Sequence, residues 1–227
     1  MTDDHDSPPG LDLDRLFRDR SVFDSSDDMR DAGFTVIRES KHEKVVVAGH
    51  RSARGFLFKK FLRDVSLSHE EQLAVYETRV NGARALRAHL EARQIQKVVV
   101  PRKWICVLPA RKRAGKKPEH IVVVDRFDIL DREKSERHYK RMDEDQLRDL
   151  CTVFFAFRRV DFTASNAPFT ADGRIAFIDT GYLTPLTKKL RSRKKSYDKN
   201  AAKLFTSKHR RFAAKLWDDL VDRLSNT

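Results

Sequence analysis

The chain has 227 residues, 40% hydrophobic and 36% charged, with a formal net charge of +13. That length admits one domain or two small lobes around a real core. No apolar run approaches the roughly 20 residues that span a bilayer, and Cys106 and Cys151, in no metal-like or redox-like spacing, exclude a disulfide miniprotein and a structural zinc site.

Both cysteines are expected as reduced core residues. The first ten residues are polar and acidic rather than signal-like, so a cytosolic protein is expected. The positive charge favours an anionic partner, and its distribution says more than its total. Residues 1–31 hold ten aspartates against four arginines, whereas 111–117 and 188–195 are almost purely basic.

In chain order, residues 11–23 place Leu13, Leu16, Phe17 and Arg20 at helical spacing, and Ser26 or Asp27 is set to cap a further turn before Gly33. Residues 34–37 and 44–48 read as a hairpin about the polar turn 40–43, followed by a third strand over 55–61. On that strand Leu57, Lys59 and Phe61 share one face and Phe56, Phe58 and Lys60 the other. One lysine must therefore point inward or lie along a cleft.

Residues 68–92 form a long predicted helix, because Leu73, Tyr76, Val80, Ala83, Leu86 or Arg87, and Leu90 recur at three- and four-residue steps. Ser68 is its cap, Glu70 and Glu71 suit its positive first turn, and Glu77 lies beside the apolar stripe. Strands follow over 97–108, interrupted at Pro101, and over 120–125. The expectation is a small antiparallel sheet of five strands with one helix inserted after the third.

After Arg126 the balance turns helical. Asp143 or Asp145 caps a helix to Arg158 whose core stripe is Leu147, Leu150, Cys151, Phe154 and Phe157. Ala171-Asp172-Gly173 is a turn between 168–170 and 175–178, and residues 198–224 close the chain as one or two helices. His138 and His209 are expected at the surface. The divisions are an acidic, partly disordered segment 1–32, a strand-rich part 33–125 and a helical part 126–227.

The chemistry concentrates between Arg158 and Gly181. Asp161 is followed five positions later by Asn166, then by the turn and an alternating apolar strand that ends on Asp179-Thr180-Gly181. This order of elements resembles the protein-kinase-like fold over residues 34–181. The resemblance implies an α+β, bilobal architecture: a five-stranded antiparallel N-lobe with one helix, a hinge, and a reduced, mostly helical C-lobe. Gly55-Phe56-Leu57-Phe58-Lys59, Val100-Pro101-Arg102-Lys103-Trp104 and Gly173-Arg174-Ile175-Ala176-Phe177-Ile178-Asp179-Thr180 also resemble small, divergent kinase-like proteins of bacterial origin, some of them host-directed effectors.

By that resemblance Lys59 is the third-strand lysine that grips the α- and β-phosphates, with Lys60 as the alternative, and Glu77 is its helix partner. Asp161 orients or deprotonates the attacking hydroxyl. Asn166 and Asp179 hold Mg2+, and the hinge backbone from Asp125 to Asp128, with Phe127, meets the adenine of ATP. Magnesium prefers oxygen ligands, the triphosphate needs a compensating cation, and the nucleophile needs one aspartate free of metal.

The chain also departs from the pattern. Arg159-Val160-Asp161 stands for His-Arg-Asp, Asp179-Thr180-Gly181 for Asp-Phe-Gly, no Ala-Pro-Glu follows, and 46 residues remain after Gly181. The phosphate-covering turn 39–44 lacks glycine, so Lys41, His42 or Lys44 would meet phosphates through side chains. The implied function is an ATP- and Mg2+-dependent phosphotransferase acting on Ser, Thr or Tyr hydroxyls of a protein. The alternative is a nucleotide-binding pseudokinase or adaptor acting through its basic surface. The expected partner is a protein, with an acidic one suited to the charge; nucleic acid at 111–117 and 188–195 is a lesser expectation, and like charge disfavours cationic aminoglycosides. The chain is expected to be a monomer, cytoplasmic or delivered into a host cell.

Overall fold

Five strands pair as one antiparallel sheet in a computed structural model that describes residues 8–17, 25–40, 44–62, 66–108, 118–158, 160, 162–181, 183–185 and 203–225. They are β1 (Phe34–Ser40), β2 (Val45–His50), β3 (Phe56–Phe61), β5 (Lys103–Val107) and β6 (His120–Asp125), in the order β1-β2-β3-β6-β5. By contacts the chain divides into two units, Met1–Val80 with Arg102–Arg126, and Asn81–Pro101 with Phe127–Thr227.

In the first unit, strand alternation sorts the sheet's side chains into two cores. Val46, Ala48, Phe58, Trp104, Cys106, Ile121 and Val123 face one way and are covered by Phe17, which ends α1 (Leu13–Leu16), and by Met29 of α2 (Ser26–Asp31). Val45, Phe61, Val122 and Val124 face the other way, onto Tyr76 and Val80 of α3 (His69–Ala92). Full burial of one such aliphatic or aromatic side chain contributes roughly 1.5–3 kcal/mol. The Tyr76 hydroxyl also accepts the Phe61 N–H at 2.7 Å, and the two rings stack at 5.2 Å.

The cap of α2 is Ser25, one residue before those expected. Its Oγ accepts the Asp28 N–H at 3.1 Å while the Asp28 carboxylate accepts the Ser25 N–H at 2.9 Å, a reciprocal box that Ser26 or Asp27 would lack. Ser68 and Glu71 make the same exchange ahead of α3, at 2.7 and 3.2 Å. The helix expected over 11–23 is present as α1; residues 18–24 lie outside the described ones.

The second unit packs the rest of α3, through Ala83, Leu86 and Leu90, with α4 (Arg132–Tyr139), α5 (Glu144–Ala156) and α6 (Ser207–Ser225) around Leu147, Leu150, Cys151, Phe162, Phe169 and Phe177. Asp143 caps α5 in another reciprocal box with Gln146. The expected strand 97–108 is two strands. β4 (Val98–Val99) pairs in parallel with β8 (Ile175–Ala176), and only β5 joins the large sheet. Pro101, which has no N–H to donate to a ladder, separates them. α5 stops at Ala156 because Phe157 turns to extended geometry (φ −121°, ψ 144°) and opens β7 (Phe157–Arg158), paired with β9 (Thr184–Pro185).

Cys106 and Cys151 are free and buried, and burial pushes the Cys106 thiol up to about 12. His209, expected at the surface, is only 7% exposed and lies edge-on to Phe205, because it falls on the inner face of α6 with Ala213 and Trp217. Among the described residues no helix is long and apolar enough to cross a membrane.

Burial holds His50, His89, His120 and His209 below the usual histidine range, and neighbouring Arg51, Arg93, His69 and Lys208 add to it in turn. The unfolded chain takes up these protons near 6.5, the folded chain only at lower pH, so the unfolded state binds more protons in that window. Stability is therefore expected to be full above about pH 6.5 and to fall as the pH drops through the depressed values. Thermal melts between pH 7.5 and 5 test this, and His89→Phe is expected to flatten the slope.

Candidate active site

Two of the residues singled out above are brought together by the main chain. The Asn166 carbonyl accepts the N–H of Ile178 at 3.0 Å and that of Asp179 at 3.4 Å. Below this pair the two arms run antiparallel: Ala176 N–H donates to Pro168 O, and Thr170 N–H to Arg174 O, each at 2.8 Å. Gly173, at φ +83°, supplies the left-handed turn between the arms.

Thr163 prepares the other side of Asn166. Its carbonyl and hydroxyl accept the Asn166 N–H at 3.1 and 3.2 Å, closing one helical turn. The Asp179 carboxylate accepts the Gly181 N–H at 3.2 Å, which orients it within its own turn. The side-chain amide of Asn166 and the carboxylate of Asp179, on two residues joined by the main chain, are hard oxygen donors of the kind that would suit Mg2+. Among the described residues no group of three or more His, Cys, Asp or Glu could hold a metal ion.

Asp172 is a turn residue. Thr170 Oγ1 donates to it, Arg174 pairs with it through Nε at 2.8 Å, and Arg174 and then Thr170 hold its carboxyl down to about 2. Gln146 of α5 donates to Gly173 O at 3.0 Å and pins the turn.

The two candidate lysines of β3 part company. Lys60 lies on the face of Phe58, buried, with its ammonium 3.3 Å from Glu119 and 3.3 Å from Phe61 O. Lys59, paired with Val47 and Val122 in the ladder, lies on the opposite face, the one covered by α3. A third lysine, not anticipated, occupies that same face. Lys103 of β5 stands across from Val124 and is 4% exposed. Glu77 is exposed on α3, where its charge opposes the fall in the His120 pKa.

The expected hinge is partly committed. The Asp125 carboxylate grips Arg102 through Nε at 2.8 Å and Nη2 at 3.3 Å, and its N–H donates to Arg102 O at 3.0 Å. The next amide, of Arg126, donates to Gly55 O at 2.8 Å. An adenine at this segment therefore falls to groups other than these two amides, and Phe127 is half-buried beside them. Asp161, Lys41 and His42 lie outside the described residues, as do the basic runs 111–117 and 188–195.

Helix α4, which no apolar stripe announces, supports the Asn166 arm. Ser135 Oγ accepts the Phe169 N–H at 3.1 Å, and the fully buried Tyr139 hydroxyl donates to Ala167 O while its ring lies edge-on to Phe162 and Phe169. Burial raises the Tyr139 pKa well above the usual phenol range, which keeps its proton available for that bond. Ser135→Ala strands a buried N–H and Tyr139→Phe a buried carbonyl. Each is expected to cost about 1–3 kcal/mol in urea unfolding.

No protein-family model matches the chain, and no curated protein matches it. Among solved structures it is similar to a crystal structure of WbdD at 15% identity and a TM-score of 0.44, over 76% of this chain and 38% of that one. A second WbdD structure, described as a bifunctional kinase-methyltransferase, matches at 14% identity and a TM-score of 0.41, over 71% of this chain and 35% of that one. The complex of Rv3197 with erythromycin, from Mycobacterium tuberculosis, matches at 15% and 0.44, over 86% of this chain and 60% of that one. The chain thus spans well under half of the WbdD structures and about three fifths of Rv3197. These are likenesses of fold between distant sequences.

Proposed function

We propose that the chain is an ATP- and Mg2+-dependent phosphotransferase of protein-kinase-like fold, acting on hydroxyl groups of a protein. The observation that supports the reading is the Asn166 carbonyl accepting the Asp179 amide, which joins these two residues at the end of a braced hairpin. Five positions before Asn166 stands Asp161, which by the resemblance to the kinase-like pattern is the aspartate that takes the hydroxyl proton.

In this reading Asn166 and Asp179 hold Mg2+, which when bound offsets the charge of the triphosphate. Lys59 meets the α- and β-phosphates; its place on the α3 side of β3, with Lys60 turned to Glu119, favours it over its neighbour. Asp161 accepts the proton of the substrate hydroxyl as that oxygen bonds to the γ-phosphorus. The bridging P–O bond breaks, and ADP departs with the bonding pair. Lys103, buried, lies on the same face of the sheet as Lys59.

The competing reading, a nucleotide-binding pseudokinase, draws on the glycine-free turn 39–44. Labelled ATP separates the two. Wild type with Mg2+ is expected to transfer the γ-phosphate to itself or to an acidic protein, and Asp161→Ala, Asp179→Ala and Lys59→Met are each expected to lower the rate by about a hundredfold or more. Stabilisation by ATP with Mg2+ but no transfer selects the pseudokinase, and variants that behave like wild type overturn the proposed site.

A further inference from the structure

Gly82 lies in the interior of α3, where glycine costs about 1 kcal/mol relative to alanine. Nothing in the apolar stripe of the helix calls for it. The reason lies in what the helix touches. A Cβ on Gly82 would stand 2.1 Å from the carbonyl oxygen of Thr180, 3.2 Å from its carbonyl carbon and 3.4 Å from Leu183 Cβ. The first of these is inside any van der Waals contact, and the atom in the way is backbone, which cannot swing aside as a side chain can. By contrast, a Cβ on Gly55 would meet nothing within 4 Å.

Thr180 is the residue between Asp179 and Gly181 and is fully buried. The segment that carries Asp179 is thus held on two sides, by the Asn166 carbonyl through the Ile178 and Asp179 amides, and by the bare backbone of α3 at Gly82. We infer that Gly82 is a positioning residue: it seats α3 directly on the Thr180 peptide and so fixes the Asp179 carboxylate beside Asn166 for a divalent cation that accompanies a nucleoside triphosphate. The nature of the ligand rests on the function proposed above; the seat does not. An alanine at position 82 drives the Thr180 carbonyl and the helix apart by about an ångström. Any such shift turns the peptides on which the Gly181 N–H to Asp179 bond and the Asp179 N–H to Asn166 bond depend.

Hydrogen exchange of the full-length chain, read by mass spectrometry, and thermal melts with ATP at graded Mg2+ test this together. For Gly82→Ala, amides in peptides covering residues 176–183 are expected to exchange at least tenfold faster while those of β2 and β3 are unchanged. The Mg2+ concentration that gives half of the ATP stabilisation is expected to rise at least tenfold, and Gly55→Ala is expected to match wild type in both. Wild-type exchange and an unmoved Mg2+ midpoint in Gly82→Ala overturn the inference. If that variant loses its cooperative melt, Leu183→Ala, which opens the other wall of the seat without inserting an atom, decides. Faster exchange at Ile178 and Asp179 supports the seat, and wild-type exchange there overturns it. A wild-type chain whose melt ignores ATP and Mg2+ removes the functional reading and the cation role of Gly82 with it, while the exchange result alone rules on the seat.

Discussion

One carbonyl oxygen, that of Asn166, accepts two amides from the segment that follows β8, and most of what surrounds it serves to keep it there. Behind it Thr163 closes the turn that presents Asn166, α4 takes up the Phe169 amide and the Ala167 carbonyl, and α5 reaches over to the Gly173 carbonyl. A buried main-chain group without a partner costs more than a made bond returns. This network therefore constrains the arms more strongly than the apolar contacts alone, which would tolerate some slip. Asp179 is held both by its own amide on the Asn166 carbonyl and by its carboxylate on the Gly181 N–H.

The sheet of the first unit separates its lysines by face. Lys60 is neutralised by Glu119 within the protein, a pairing that offsets the cost of its burial. Lys59 and Lys103 share the other face, with Val122 and Val124 of β6 between their strands. Because side chains alternate along a strand, a shift of one residue in β3 would exchange Lys59 for Lys60 and turn Phe58 out of its core. The burial of Phe58 on one face thus also fixes which lysine is presented on the other.

Much of this was legible in the sequence because it is local. The short apolar runs of β2, β3 and β6, the Ser68 cap, the three- and four-residue rhythm of α3 and the Asp143 cap each depend on residues within a few positions. The α+β class and the five-stranded sheet with a helix after its third strand follow from them. What was not legible depends on partners distant in the chain. Helix α4 is mostly charged outward, so its two inward residues, Ser135 and Tyr139, make no stripe. The split of 97–108 depends on β8, Gly82 on the Thr180 carbonyl, and the burial of His209 on the inner face of α6. The main-chain hydrogen bonds that join Asn166 to Ile178 and Asp179 were not readable from their spacing.

The pairing of β4 with β8 bears on the order in which the chain is made. Val98 finds its partner only in Ile175, whereas every strand of the large sheet has emerged by Asp125. During synthesis the sheet can be complete while β4 still waits, its apolar residues without a ladder. A two-residue strand followed at once by the ring of Pro101 offers little edge for a wrong neighbour to capture. The same break that divides the strand thus protects the nascent second unit until its late, long-range closure by residues 175–176.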